Sequence, residues 1–480
     1  MTGSDFDAAT PPAEPPSSAR TVVLISLCAA AAIAYVQRNC IGVAESTIRT
    51  ELGMTKQQMG WALSGFFLTY SLFQIPTGWL GERLGPRKTL SIYSAVWSAA
   101  TAITGLAGIG LVAVWLVPLV MRIRPEIDTV AASLLAAIWW LYAVRILSGI
   151  GQAGLFPCSA IVISQWFPQS RRASVSGWLG TSQQVGAIIA SGLTGLLLAV
   201  MDWRMLFAVF ALPGLIWAWF FYVWFRNRPG EHTAVNDAEL SLISRSADSS
   251  VLSDSDQQER PDETEETPTP TPWLALLASP PMWCICGQQF CRGAGYMFYA
   301  SWFPTFLQET RNVSVTKSGL LTMLPLIASG IGSALAGKLS DRILSATGNV
   351  RAARRNVAVA GMLGCALLIF AAYFVQGANT VVLVISGGAF CAALAGPSGY
   401  ATTIDMGGKN VATIFATMNM AGNAGAAVFP IAVPMLQKST GSWDLVLFVF
   451  GGVYLIATIF WMFLNPVGTF AERSFLSHRD

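Results

Sequence analysis

Long apolar runs alternate with short polar breaks along most of the chain. Runs near 20–45, 57–80, 88–107, 131–165, 172–200 and 203–225 are followed, after a polar interval, by runs near 278–307, 315–340, 353–376, 379–402, 410–436 and 442–465. A helix rising roughly 1.5 Å per residue needs about 20 apolar residues to cross a hydrocarbon core of ~30 Å, and each run supplies them. The pattern predicts an all-α membrane protein with twelve transmembrane helices, arranged as two six-helix bundles.

Composition narrows the class further. Of 480 residues, 53% are hydrophobic and only 11% charged, a balance that excludes an ordinary soluble globule. Residues 1–19 are rich in Pro, Ser and Ala and hold acids but no base, so they read as a disordered tail without the basic start of a secretory signal. Residues 20–225 form the first bundle. Residues 226–275 carry eleven acids and the run Thr267-Pro-Thr-Pro-Thr-Pro272, and read as a disordered linker. Residues 276–466 form the second bundle, and 467–480 a short tail. All eight cysteines fall in or beside spans, where thiols pack as apolar groups, and none has metal-site spacing. No cofactor is expected, and no nucleic-acid partner.

Basic residues give the expected orientation. Eighteen lie on the side of the termini and the loops after even-numbered spans, eight on the other side and three within spans. By the positive-inside rule, both termini face the cytoplasm of a multi-pass inner-membrane protein.

The two halves repeat a signature. Gly78-Trp-Leu-Gly-Glu82-Arg83-Leu-Gly85-Pro-Arg87-Lys88 follows the second span, and Gly337-Lys-Leu-Ser-Asp341-Arg342 follows the eighth. Duplication of a six-span unit is the economical reading. The first copy resembles the loop signature of the major facilitator superfamily, with Glu82 where the family usually has Asp. The resemblance implies a gate between the halves in which these charges make breakable ion pairs; anchoring of the loop to the basic side is the competing role. Residues 108–130 exceed the short loop that superfamily has between its third and fourth spans. Their apolar part is too short to span separately, so it either extends the third helix or lies on the membrane surface.

The candidate chemistry sits inside the spans. Arg38, Arg145 and Arg292 interrupt apolar runs, and no Asp, Glu or His shares their depth. An arginine at mid-bilayer costs ~2.5–3.5 kcal/mol even on the lenient insertion scale. Guanidinium cannot lose its charge at physiological pH and matches a carboxylate with a fork of donors, so the pattern points to an anion pathway. On span 4, Arg145, Gly149, Gln152 and Phe156 share one helical face.

That segment, Arg145-Ile-Leu-Ser-Gly149-Ile-Gly-Gln152-Ala153-Gly-Leu-Phe156-Pro157, resembles R-x-x-x-G-x-x-E-A-x-x-F-P of the anion:cation symporter family, which includes sugar-acid and hexuronate carriers. The similarity continues at Tyr35-Val-Gln37-Arg38 on span 1, Tyr70 and Gln74 on span 2, Gln183 on span 5, and Asn419 and Asn423 on span 11. It implies that the arginines take the substrate's carboxylate while Gln, Asn and Tyr take its hydroxyls, in a cavity at the repeat interface. Phe290-Cys291-Arg292 is similar instead to span 7 of the vesicular glutamate carriers, and a third arginine favours a dianion, or a monoanion with an inorganic anion. Duller roles compete for each residue: snorkelling for Arg38, pairing with helix-end carbonyls for Arg292, and helix-to-helix bonding for Gln183, Asn419 and Asn423.

The two acids that the family uses for proton coupling are replaced here. Gln37 and Gln152 stand in their places, and amides do not titrate. Asp405 and Glu45 are the fallback proton sites, both towards span ends. The sequence thus predicts a single chain that carries a small organic anion by alternating access without a carboxylate relay. The alternatives are a dicarboxylate or phosphate carrier, an anion exchanger, or a non-transporting sensor. An enzyme is not expected, since no nucleophile–base pair or phosphate loop is present.

Overall fold

A computed structural model describes residues 15–243, 279–407 and 411–465. The first half comprises α1 (Ala19–Glu51), α2 (Lys56–Leu84), α3 (Pro86–Thr104), α4 (Gly110–Ile123), α5 (Thr129–Ala153), α6 (Leu155–Trp166), α7 (Gln169–Leu197) and α8 (Trp203–Trp224). The second comprises α9 (Pro280–Met297), α10 (Phe303–Arg311), α11 (Val315–Thr347), α12 (Val357–Tyr373), α13 (Ala378–Ala393), α14 (Ala395–Gly407), α15 (Val411–Thr440) and α16 (Asp444–Phe463). A π-helical turn at Phe298–Trp302 joins α9 to α10, and another at Arg351–Asn356 leads into α12. With α5–α6, α9–α10 and α13–α14 each counted as one rod and the short α4 set apart, the twelve expected spans are present.

Local chemistry sets several boundaries. Thr55 caps α2 in a reciprocal box with Gln58, and Asp128 and Ser314 cap α5 and α11 by accepting from the backbone N–H three residues on. Gly85, at φ +80°, makes the sharp turn from α2 to α3 that a residue with a Cβ resists. Seven rods are long and apolar enough to cross a membrane on composition alone. The other five are α2, α3, α7, α9–α10 and α15. Four of these, all but α3, carry polar groups that turn towards the seam between the halves, which lowers their mean hydropathy without shortening them.

The duplication is visible in the packing. In the first bundle α1 lies on α7, α2 on α5 and α3 on α8; in the second, the equivalent pairs α9–α15, α11–α13 and α12–α16 form. The bundles meet along α7–α11 and α2–α15, again equivalent pairs. Aromatic rings such as Phe298, Phe303, Phe429 and Phe450 pack inside the second bundle, in a core that continues across the seam into the first.

The 108–130 stretch forms a separate helix, α4, rather than a continuation of α3. Gly108, at φ +78°, breaks the path, and Val120 of α4 packs on Ala132 and Ala136 of α5. The start of the expected linker is also folded. Glu239 is fully buried and pairs with Arg20, and His232 lies against Trp166 and Trp224. These partners hold residues 226–243 on the first bundle, while residues 244–275 lie outside the described residues.

The two ends of the seam differ. At the end where α1 finishes (the far end), the bundles touch backbone to backbone: a Cβ on Gly42 would sit 2.1 Å from the Ala300 carbonyl oxygen, and one on Gly60 would sit 2.5 Å from that of Pro430. Towards the end where α1 begins (the near end), Gly177 and Gly180 of α7, and Gly330 and Gly337 of α11, face nothing within 4 Å. The seam is closed at the far end and parts towards the near end.

Candidate functional site

A cavity of about 200 Å³ lies between the bundles. It has room for several waters or one small solute. Tyr35, Arg38 and Asn39 of α1 and Gln183 and Gln184 of α7 form one wall; Gln289, Arg292 and Tyr296 of α9 and Asn419 and Asn423 of α15 form the other. Ser329 and Ser333 of α11 and Tyr299 and Tyr454 add further polar groups, and Phe67, Met297 and small residues of α9, α13 and α15 fill the rest of the lining.

Arg38 is built in from its neighbours. Its Nε donates to Gln152 Oε1 at 3.0 Å, and Gln152 Nε2 donates in turn to the Ala34 carbonyl at 3.2 Å. Its guanidinium lies 4.4 Å from the Tyr35 ring centre, 4.5 Å from Tyr70 and 4.9 Å from Phe66, within cation–π range. These contacts hold a side chain that is only 6% exposed and aim it at the cavity, so it does not snorkel. Gln152 and Tyr70 act through Arg38 and do not themselves line the space.

Arg145 stands behind this layer. It is 4% exposed, stacks 4.7 Å from the same Phe66 ring and is absent from the cavity lining. Gly149, one turn on, lets α5 approach so closely that a Cβ there would lie 2.4 Å from the Phe66 carbonyl oxygen, which seats Arg145 beside that ring. Arg38 Nη2 and Arg145 Nε are buried without a hydrogen-bond partner, and among the described residues no carboxylate pairs with Arg38, Arg145 or Arg292.

On the opposite wall, Arg292 donates from Nε to Gln289 Oε1 at 3.1 Å, rather than to a helix-end carbonyl. Asn419 Nδ2 reaches across the seam to Gln74 Oε1 at 3.4 Å, and Asn423 donates to the Asn419 carbonyl at 3.0 Å. Gln183 lines the cavity beside Gln184.

Gln37 does not belong to this site. Its Nε2 donates to the Phe210 carbonyl at 2.7 Å, and its Oε1 accepts from Ser98 at 3.2 Å and Thr101 at 3.5 Å. The cavity face of α1 runs through Tyr35, Arg38 and Asn39, and Gln37 falls outside it, turned towards α3 and α8. Sequence reasoning missed Asn39, Gln184, Gln289, Tyr296, Tyr299, Tyr454, Ser329 and Ser333. A signal existed for two of them, since Gln289 and Tyr296 lie three residues before and four after Arg292, on its face of α9.

The far end carries an ion-pair cluster across the seam. Lys56 Nζ lies 2.6 Å from Glu309, and Arg49 lies 2.6 Å from Glu45 and 3.5 Å from Glu309. Glu45 is fully buried and accepts from Thr305 Oγ1 at 2.6 Å; Glu309 accepts from Trp443 Nε1 at 3.0 Å and Gln437 Nε2 at 3.1 Å. Among the described residues, the signature loops contribute no such bond. Glu82 is exposed, Arg83 stacks on Trp79 of its own helix, and Arg87 donates to the Tyr222 carbonyl and hydrogen-bonds Asn227 through its N–H, all within the first bundle. Gly78 packs against Pro157, also within that bundle, Gly337 faces open space, and Arg342 is exposed. The side chains of Asp341 and Asp405 lie outside the described part of the structure. In this conformation the described ion pairs across the seam lie at the opposite end, between other residues.

Relatives extend over nearly the whole chain. It is 29% identical to the probable sulfoacetate transporter of Cupriavidus necator over 450 residues, which cover 94% of this chain and 95% of that one. It is 28% identical to the probable galactarate/D-glucarate transporter of Bacillus subtilis, with 95% and 93% covered, and 28% identical to the D-galactonate transporter of Escherichia coli O6:H1, with 72% and 73% covered. Among solved structures, a D-xylose–proton symporter superposes with a TM-score of 0.70 at 14% identity, covering 93% of this chain and 98% of that one. A bacterial homologue of the human lysosomal transporter Spinster, inward-facing and unoccupied, gives 0.63 at 18% identity, with 93% and 94% covered. Residues 27–352 and 286–475 match the model of the Major Facilitator Superfamily, and the chain belongs to that family of membrane transporters, not to an enzyme family.

Proposed function

We propose that this protein is a secondary transporter that carries a small organic anion across the inner membrane by alternating access. The observation that supports it most is the pair of arginines, Arg38 and Arg292, on facing walls of one inter-bundle cavity with no described carboxylate to neutralise them. A cation held within the membrane without a counter-charge is costly, and an anion in the cavity removes that cost. Tyr35, Gln183, Asn419 and Asn423 offer neutral donors and acceptors suited to hydroxyls, so sugar acids and related carboxylates lead. The named relatives, transporters of galactarate/D-glucarate, D-galactonate and sulfoacetate, fall in the same chemical range.

The positive-inside bias places the near end in the cytoplasm. The conformation is then open inward, with Glu45, Arg49, Lys56 and Glu309 sealing the outer end; Glu82, Arg83, Arg87 and Arg342 would re-pair when the inner end closes. One chain holds both cavity walls and works as a monomer. Gln152 keeps the hydrogen bond to Arg38 but offers no proton, and Gln37 is structural, so transport proceeds without a carboxylate relay in the cavity.

Reconstitution tests this. Proteoliposomes should take up labelled galactarate or sulfoacetate but not neutral sugars, and an inward proton gradient at clamped potential should not accelerate uptake. Acceleration under that clamp would overturn the relay-free mechanism, and equal uptake of neutral sugars would overturn the anion site.

A further inference from the structure

The cavity has two cationic walls, and the distribution of charge between them bears on how many anionic groups the substrate carries. Arg38 belongs to the first bundle, with Arg145 behind it; Arg292 belongs to the second. Arg292 is held in place from both sides. Gln289 fixes its Nε, and Gly396 of α14 leaves room for its Nη1 where a Cβ would lie only 3.1 Å away. Like charges that face each other across a small space repel, and the repulsion strengthens as water leaves. A monoanion neutralises one wall and leaves the other cation unpaired at the moment the cavity closes around it. A substrate with an anionic group at each end neutralises both.

We propose, building on the anion-transport reading above, that the site selects dianions whose two anionic groups are separated by a short spacer, and that Arg292 is the residue that sets this preference. One group is taken by Arg38 and the other by Arg292, while the amides of Asn419 and Gln183 meet any hydroxyls on the spacer. The bridge joins the two bundles through the ligand. It therefore favours the conformation in which the walls stand closest, because a ligand shifts an equilibrium by its difference in affinity between the two states. Among the named relatives, the galactarate/D-glucarate and sulfoacetate transporters are named for dianions and the D-galactonate transporter for a monoanion, so the inference separates substrates that the resemblance leaves together.

Matched pairs test it on the full-length purified protein. Binding of galactarate is compared with that of galactonate, and of sulfoacetate with 2-hydroxyethanesulfonate, each pair differing in its second anionic group. The measurements use the parent chain and Arg292→Gln, Arg292→Lys and Arg38→Gln, with chloride absent and then added. The parent should bind each dianion at least about tenfold more tightly than its partner. Arg292→Gln should bring the dianion down to the monoanion's affinity and leave the monoanion within about twofold, Arg292→Lys should restore part of the difference, and Arg38→Gln should weaken both members.

Equal binding of both members by the parent overturns the inference, as does an equal loss for both in Arg292→Gln, which marks a merely structural arginine. Chloride that lifts the monoanion to the dianion's affinity also overturns it, since an inorganic ion then serves the second wall. Binding of no anion by the parent overturns the transport reading itself, and is distinguishable because Arg38→Gln then changes nothing.

Discussion

The far-end seal and the central cavity are both polar clusters between the same two bundles, yet they treat charge in opposite ways. At the seal, Arg49 and Lys56 are matched by Glu45 and Glu309, and the acids are further bonded to Thr305, Trp443 and Gln437. In the cavity, Arg38 and Arg292 have amides and aromatic rings as neighbours and no described carboxylate. A cluster whose charges are satisfied within the protein can hold two bundles together unaided. One that lacks its counter-charges holds them only when a ligand supplies the missing anion. The difference separates a latch from a binding site without reference to any relative.

Replacing a cavity arginine by a neutral amide gives the largest expected effect. Charge-assisted bonds to a carboxylate contribute ~1.5–3 kcal/mol each, so Arg38→Gln should lower anion binding by about 100-fold or more. The ligand-free protein should be no less stable, since the change removes a buried charge that lacks a partner. Thermal unfolding with and without ligand reads both quantities; a large loss of ligand-free stability would show that Arg38 is structural and would break the comparison.

Wedging the seal comes next. Gly42→Val places atoms where the Ala300 carbonyl oxygen would be 2.1 Å from Cβ, so the far end cannot close as it does here. Transport should fall by roughly tenfold or more, the cost of an overpacked contact being ~1–3 kcal/mol, while ligand affinity measured in detergent changes little. Uptake that matches the parent's would mean that this contact is not part of the cycle.

The fold was legible because its signals are long: runs of apolar residues, a repeated signature and a polar interval carry twelve rods and two bundles. Arg38, Arg292, Gln183, Asn419 and Asn423 were legible as cavity residues because each is a polar group that lipid would reject. What the pattern could not decide was facing. Gln37 and Arg38 are consecutive polar residues on one helix, and only the packing of α1 against α3 and α8 shows that they point to different places. Burial depth was equally hidden: Arg145 shares a helix face with Gln152 yet lies behind Phe66, a relation set by the close approach of α2 at Gly149. The seal escaped for a third reason, since Glu309 stands 253 residues along the chain from Lys56 and 260 from Arg49, and only the folded seam brings them together.

Gln37 sharpens the distinction from the other side. Gln37→Ala leaves the buried Phe210 carbonyl without its donor, at a cost of ~1–3 kcal/mol. We expect a lower unfolding temperature with ligand affinity within about twofold of the parent. Gln152→Ala should do the reverse and weaken binding more than stability, because Gln152 positions Arg38. Affinity loss in Gln37→Ala would place that residue in the site after all.

The smallest effect expected is acid sensitivity of the seal. Burial raises the pKa of Glu309, but hydrogen bonds from Lys56, Trp443 and Gln437 outweigh it and hold the carboxyl below its ordinary value. That depression belongs to the sealed state, in which the donors are assembled from both bundles; once the far end opens, the carboxyl returns towards its ordinary value. Closure therefore gains most from Glu309 above the ordinary carboxylate pKa and loses that gain as pH falls through the depressed value. Spin labels at Thr50 and Lys438, exposed on opposite bundles at the far end, should show a longer-distance population growing a few-fold between pH 7 and about 4. Glu309→Gln should start with more of that population and respond less to acid. An unchanged pH response in that variant would move the acid-sensitive group elsewhere, with the buried Glu45, bridged to Thr305 and Arg49, as the next carboxylate to replace.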